Sequence, residues 1–300
     1  MSLLSLEGII PPVPTIFNDN GEFDSKGMGV FIDRLLESDV DGLLFLGSAG
    51  EFSQLTNAVR KQVAEFCVKK VAGRKPVIIG TGACGTSEVI ELSEHAASIG
   101  ADAVIVVNPY YSTMSEDRLY KHYRTISESI SLPLVIYNFP ALTGQDLSPS
   151  LIKRLAVDCP NIIGIKDTVD CISHIRDLIL QVKSVRKNFK IICGFDEYLL
   201  TTLMLGGDGA IPGTSNFAPE ITCGIYKAFK NNDMESLKTL LPRLSVLSQL
   251  YTLDMPFSWL LKEAIRHTGS NIPTGVASPA TEPDEEVKQK FKEILAQAGL

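Results

Sequence analysis

Eight short apolar runs, each broken by Gly, Pro, Asn or Asp and each followed by a longer amphipathic stretch, restrict what this chain can fold into. They are Gly8–Thr15, Gly42–Ser48, Val77–Gly82, Ala103–Pro109, Leu134–Pro140, Ile162–Thr168, Lys190–Asp196 and Gly209–Gly213. Their hydrophobicity is continuous rather than alternating, which is the signature of parallel strands covered on both faces. From Gly42 onward the starts are separated by 35, 26, 31, 28, 28 and 19 residues, room for one crossover helix each. Eight such units in about 220 residues predict an α/β fold, a (β/α)₈ TIM barrel, with a doubly wound open sheet as the runner-up.

The stretches between the runs agree with this. Ser25 to Ser38 carries Met28, Phe31, Ile32, Leu35 and Leu36 at helical spacing. Ser87 is expected to cap a helix over Glu88–Ser98, with Ile90, Leu92, Ala96, Ala97 and Ile99 as its apolar stripe and Gly100 just beyond its end. Ser148-Pro149 opens another, carrying Leu151, Ile152 and Leu155, with proline at the first helical position. After Pro219 the strand-like runs stop. Helices are predicted over 219–230, 233–250, 256–267 and 284–298, so the expected organisation is a barrel over 1–218 and a C-terminal helical appendage over 219–300.

Several function classes are excluded at this level. The chain has 28 Lys and Arg against 35 Asp and Glu, a net charge of −7, and no basic stripe, so nucleic acid is not an expected partner. The six cysteines, Cys67, Cys84, Cys159, Cys171, Cys193 and Cys223, form no CxxC or Cys–His pattern and read as reduced, mostly buried thiols. Met1–Ser5 lacks a basic leader, and the longest apolar runs are about seven residues, against the ~20 a membrane span needs. A cytoplasmic protein with no membrane partner is expected. Gly80-Thr-Gly-Ala-Cys-Gly-Thr86 lacks the lysine of a P-loop, and no GxGxxG opens a helix.

Active sites of such barrels gather at the C-terminal ends of the strands. Those ends hold Pro14 and Thr15; Ser48, Ala49 and Glu51; Thr81; Asn108, Tyr110 and Tyr111; Tyr137 and Asn138; Lys166, Asp167 and Thr168; Gly194, Asp196 and Glu197; and Ile211 to Ser215. Lys166 is the outlier, because it follows Ile162–Ile165 and its stem should enter the barrel. Burial favours a neutral amine, the nucleophile that forms a Schiff base with a ketone. Pairing with Asp167, or reaching to the rim, is the alternative. Tyr137 ends the preceding strand, where a phenol serves either as a proton shuttle or as a core aromatic. Gly47-Ser-Ala-Gly-Glu51 reads as a turn offering backbone N–H groups to a carboxylate, or simply as a tight turn. His95, His122, His174 and His267 fall in helical stretches and are expected to be surface or interhelical residues.

Five strings occur in order at barrel-strand spacing: Gly47-Ser-Ala-Gly-Glu51, Asn108-Pro-Tyr-Tyr111, Tyr137-Asn-Phe-Pro140, Gly164-Ile-Lys-Asp-Thr168 and Gly194-Phe-Asp-Glu197. Together they resemble the dihydrodipicolinate synthase/N-acetylneuraminate lyase family of class I pyruvate aldolases, over nearly the whole chain. The resemblance implies a (β/α)₈ barrel, Lys166 as the Schiff-base lysine, Tyr137 as acid/base, and Ser48 and Ala49 as the holders of the pyruvate carboxylate. It also implies that Tyr111 reaches a neighbouring subunit and completes a proton relay with Ser48 and Tyr137, in a homotetramer. Thr168, Gly194 and Ile211 are placed by it along the substrate site. No metal and no cofactor are expected beyond the covalent lysine–pyruvate iminium, which is itself the electron sink.

Two departures bear on the substrate. Leu142 stands where dihydrodipicolinate synthases carry the arginine that binds the second substrate's carboxylate, and a neutral side chain offers no bidentate fork. Gly194-Phe-Asp-Glu197 resembles the lyase branch, in which Asp196 and Glu197 would accept hydrogen bonds from a polyol. Together with Tyr137-Asn-Phe-Pro-Ala-Leu-Thr-Gly-Gln-Asp146, these features are most similar to bacterial 2-keto-3-deoxygluconate aldolases. The expected reaction is reversible cleavage of a 2-keto-3-deoxy sugar acid to pyruvate and a hydroxyaldehyde. Dihydrodipicolinate synthase, N-acetylneuraminate lyase and, more distantly, a non-catalytic sensor or regulatory barrel are the alternatives.

Overall fold

The computed structural model describes residues 6–18 and 20–300; the opening Met1–Ser5, read above for a leader, lies outside them. In chain order the elements are β1 (Gly8–Ile9), β2 (Pro12–Val13), α1 (Ser25–Glu37), β3 (Leu43–Phe45), α2 (Asn57–Val71), β4 (Val77–Gly80) and α3 (Thr86–Ser98). Then come β5 (Ala103–Val107), α4 (Glu116–Ser129), β6 (Leu134–Asn138), the short α5 (Pro140–Thr143), α6 (Pro149–Asp158), β7 (Ile162–Asp167) and α7 (Ile172–Val182). β8 (Lys190–Cys193), α8 (Leu199–Leu205) and β9 (Gly209–Ala210) precede α9 (Pro219–Asn231), α10 (Met234–Ser248), α11 (Ser258–His267) and α12 (Glu285–Gln297). The predicted alternation of strand and helix, followed by a helical C-terminal stretch, is what the chain forms.

The described residues pack as two compact units, 6–8 with 78–211 and 9–18 and 20–77 with 212–300. In the first, β4 through β9 pair in parallel, each with the next. β5 and β6 are buried at every position, as continuous Val/Ile runs require. Pairing of β6 with β7 sets Tyr137 opposite Lys166 and Asn138 opposite Asp167. In the second unit β2 pairs in parallel with β3, Pro12 opposite Leu44 and Val13 opposite Phe45.

Three local departures from expectation have simple causes. The first apolar run splits into β1 and β2, because Pro11 and Pro12 bring no N–H groups to a ladder. Helix α3 begins at Thr86 behind Gly85, so Ser87 lies inside the first turn rather than capping it. Its buried face runs Val89, Leu92, Ser93, Ala96, with Ser93 Oγ donating to the Val89 carbonyl and lying 2.9 Å from Thr81 Oγ1. By contrast, Ser148 caps α6 as expected, its hydroxyl accepting from the Leu151 N–H, with Pro149 at the first position. No helix among the described residues is long and apolar enough to cross a membrane. Cys67, Cys159, Cys193 and Cys223 are buried, whereas Cys84 and Cys171 are exposed.

Candidate active site

Strand alternation sends consecutive side chains to opposite faces, so the register of β6 and β7 decides what meets what. Tyr137 and Lys166, directly opposite each other, share one face, and Lys166 Nζ lies 4.3 Å from the centre of the Tyr137 ring. Both are buried, at 5% exposure for Lys166 and 3% for Tyr137. Lys166 forms no ion pair among the described residues, so the alternative of pairing with Asp167 does not hold. Asp167 faces the other way. Its carboxylate accepts from Asn138 Nδ2 at 2.9 Å and from the His174 ring at Nδ1, also at 2.9 Å.

The loop ends around this pair are drawn together by the backbone. Thr168 N–H donates to the Asn138 carbonyl, Gly194 N–H to the Asp167 carbonyl, and Ile211 N–H to the Cys193 carbonyl. Thr168 is buried with its hydroxyl oxygen unpartnered, a polar atom aimed at whatever fills the space beside it. Gly194 packs so tightly on it that a Cβ there would fall 1.9 Å from Thr168 Oγ1. Gly194→Ala is therefore expected to displace Thr168 and the end of β7, costing about 1–3 kcal/mol of stability and at least tenfold in kcat/KM. Urea unfolding and steady-state kinetics on the same preparation measure both.

The remaining expected residues scatter in exposure. Asp196 is buried in the turn after β8, while Glu197 beside it is exposed. Ile211 is buried. Leu142, in the one-turn helix α5, is 47% exposed, and Tyr111 is 98% exposed. In the second unit, Ala49 is buried and Ser48 half-buried within the turn that follows β3. Left-handed backbone at Leu46 (φ 58) and Glu51 (φ 57) brackets this turn. A Cβ at Gly50 would meet the Leu46 backbone nitrogen at 2.9 Å, so only glycine closes it. Gly50 and Glu51 N–H groups bond back to Gly47 and Ser48, leaving the Ala49 N–H without a partner among the described residues. A free N–H in a rigid turn suits an anion.

Two groups here were not expected. His174, read above as a surface or interhelical histidine, instead stands in the first turn of α7 with its ring on Asp167 at the end of β7. The spacing Asp167 to His174, one loop and one helical turn beyond a strand end, is the only signal the sequence carried. The second is Lys262, fully buried against Glu51. His122 does sit between helices, its Nδ1 2.9 Å from Thr86 Oγ1, and burial pushes its imidazole down to about 4.

Residues 5–298 match the model of the dihydrodipicolinate synthetase family. The chain belongs to that family. It is 46% identical over 293 residues to YagE of Escherichia coli K12, provisionally named a 2-dehydro-3-deoxy-D-gluconate aldolase, covering 98% of this chain and 97% of that one. It is 44% identical to YjhH of the same organism, provisionally a 2-dehydro-3-deoxy-D-pentonate aldolase, again over 98% of this chain and 97% of that one. A crystal structure of YagE in complex with pyruvate superposes with a TM-score of 0.96, covering 98% of this chain and 99% of that one. The fold is accordingly the TIM barrel of this enzyme family, as the eight apolar runs predict.

Proposed function

We infer that this protein is a Schiff-base aldolase that reversibly cleaves a 2-keto-3-deoxy sugar acid, with 2-keto-3-deoxygluconate the preferred candidate. One observation carries the reading: Lys166, buried and without an ionic partner, faces Tyr137 at 4.3 Å from its ring centre, in a chain of an aldolase-containing family. The amine of Lys166 adds to the C2 ketone, and loss of water from the carbinolamine gives an iminium. Tyr137 gives its phenolic proton to the departing carbinolamine hydroxyl and then takes the proton of the C4 hydroxyl. The C3–C4 bond then breaks, its electron pair moving into the iminium to give an enamine, and the hydroxyaldehyde leaves. Protonation of the enamine at C3 and hydrolysis release pyruvate and free Lys166.

Ser48 and Ala49 are assigned the carboxylate of the keto acid, supported by the unpartnered Ala49 N–H. Thr168, Gly194 and Ile211 are assigned to the wall of the site, and the buried Asp196 to a substrate hydroxyl; the exposure of Glu197 argues for a lesser part. We take residues 1–218 as the catalytic barrel and 219–300 as a helical appendage. The 98% exposure of Tyr111 supports its role in a second subunit's site, within a homotetramer; full activity from a monomer in sedimentation would exclude that. The scattered, unpaired cysteines suit the reducing cytoplasm.

Substrate choice follows from charge. Leu142 offers no cation to a second carboxylate, and Asp196 repels one while accepting from a hydroxyl. The ratio kcat/KM for 2-keto-3-deoxygluconate is expected to exceed that for pyruvate plus aspartate semialdehyde by about 10²-fold or more. The corresponding pentonate and N-acetylneuraminate complete the panel. A preference for aspartate semialdehyde would identify a dihydrodipicolinate synthase that binds its second carboxylate without arginine at position 142.

A further inference from the structure

Behind the Lys166–Tyr137 pair, on the opposite face of β6 and β7, four side chains close a ring. Asn138 Nδ2 donates to Asp167 Oδ1 at 2.9 Å and to Asp146 Oδ1 at 2.7 Å. The His174 ring joins the same two acids, Nδ1 at 2.9 Å from Asp167 Oδ2 and Nε2 at 3.5 Å from Asp146 Oδ2. Asn138 Oδ1 accepts from the Leu147 N–H and fixes the loop that carries Asp146. Asp167 has 0% of its side chain exposed, His174 10% and Asp146 47%.

A carboxylate so deeply buried needs a compensating charge. Two cations lie near enough along the chain to supply it: the amine of Lys166, the preceding residue, and the imidazole of His174. The first choice would hold Lys166 as an ammonium ion, which is no nucleophile. We propose that His174 is a positioning residue for the aldolase reaction: as an imidazolium between Asp146 and Asp167 it balances the buried carboxylate, so that Lys166 is left free to act as an amine. This rests on the reading of Lys166 as the Schiff-base lysine.

The ring's electrostatics point the same way. Desolvation pulls the His174 imidazole down, but the hydrogen bond to Asp167, the charges of Asp167 and Asp146 and a hydrogen bond to the Leu147 backbone together outweigh it, which pushes the group above its ordinary value. Asp167 on β7, Asp146 in the loop before α6 and Cys171 at the start of α7 are the titratable groups facing it. When His174 loses its proton, Nδ1–H can still serve Asp167, but the positive charge is gone.

The test is the pH dependence of pyruvate trapping by borohydride, followed by mass, in the full-length protein. In His174→Leu and His174→Asn the pH at which trapping begins should move upward by about one unit or more, so that trapping near neutrality is at least tenfold slower yet recovers to the wild-type rate at alkaline pH. His174→Asn keeps an amide donor for Asp167 without the charge, and its behaving like His174→Leu separates charge from hydrogen bonding. A merely structural role predicts an equal loss at every pH. Should both variants fail to fold, Asp146→Asn leaves the imidazole in place: NMR should show it titrating at lower pH, with trapping again beginning at higher pH. A trapping profile that stays at the wild-type pH, or an equal loss across the range, in the variants that fold overturns the proposal. Lys166→Ala is run alongside. If that variant still traps pyruvate, the reading of Lys166 has failed; if it does not, and the His174 variants show no shift, only the role of His174 has.

Discussion

Lys166→Ala should abolish borohydride-trapped pyruvate adduct and lower kcat/KM for sugar-acid cleavage by about 10⁴-fold or more, because binding and orientation alone survive removal of a nucleophile. In the proposed mechanism one difficult C–C cleavage is replaced by steps through a carbinolamine, an iminium and an enamine, and no other described residue supplies an amine opposite Tyr137. The same substitution should leave the fold intact. Lys166 makes no hydrogen bond or ion pair among the described residues, so removing it orphans no partner, and a buried polar group without partners is a cost to the fold rather than a support. Lys166→Met, which keeps the volume, should therefore unfold at a temperature equal to or above that of the wild type. Loss of activity with retained or increased stability is the pattern of a site held against its own folding preference. A pyruvate adduct mapped to any other lysine would remove Lys166 from the mechanism, and inactivity explained by a lowered melting temperature would remove this reading of its burial.

The candidate site was legible where one strand determined it. Continuous apolar runs predicted β5, β6 and β7, and because parallel pairing keeps strand ends together, the residues ending those runs, Tyr137 and Lys166, could be placed side by side without coordinates. Chain-local chemistry was equally readable: Ser148 with Pro149, and Gly100 in left-handed conformation after α3. What escaped was whatever depends on which way a side chain turns once its element is docked. Asp196 and Glu197 are adjacent, and their separation into buried and exposed comes from the turn that opens after Cys193, which no periodicity announces. His174 lies on a helix whose buried stripe is Ile175, Leu178, Ile179 and Val182. Its use follows from the start of α7 meeting the end of β7, and helical spacing alone gives it no distinction. In α3 the expected Leu92 and Ala96 are buried, but Val89 and Ser93 complete the face in place of Ile90, Ala97 and Ile99, and Ser93 can be buried because Thr81 and the Val89 carbonyl take up its hydroxyl.

Least legible was the contact with the largest expected effect on stability. Glu51 and Lys262 are 211 residues apart, and both are essentially excluded from solvent, at 1% and 0% exposure. Lys262 Nζ donates to Glu51 Oε1 and to the Gly275 carbonyl and stands 4.5 Å from the centre of the Phe17 ring; Glu51 Oε2 accepts from the Ala277 N–H. Burial pulls the lysine down, opposed by the charge and hydrogen bond of Glu51. Such a pair contributes little net energy against a well-packed apolar pair, yet breaking it from one side strands a charge where no water reaches it. Lys262→Met should accordingly cost about 3–5 kcal/mol in urea unfolding, and Glu51→Gln with Lys262→Met should recover much of that loss. The functional consequence lies in the turn itself. Glu51 is held in left-handed backbone, a conformation that a residue with a Cβ keeps only under constraint, and its carboxylate supplies that constraint through Lys262 and Ala277. Releasing it should loosen Ser48 and Ala49, so the surviving activity of the double variant is expected to show a raised KM for pyruvate with kcat changed less. A double variant as unstable as Lys262→Met alone would mean that the lysine acts through packing on Phe17 and not through its charge.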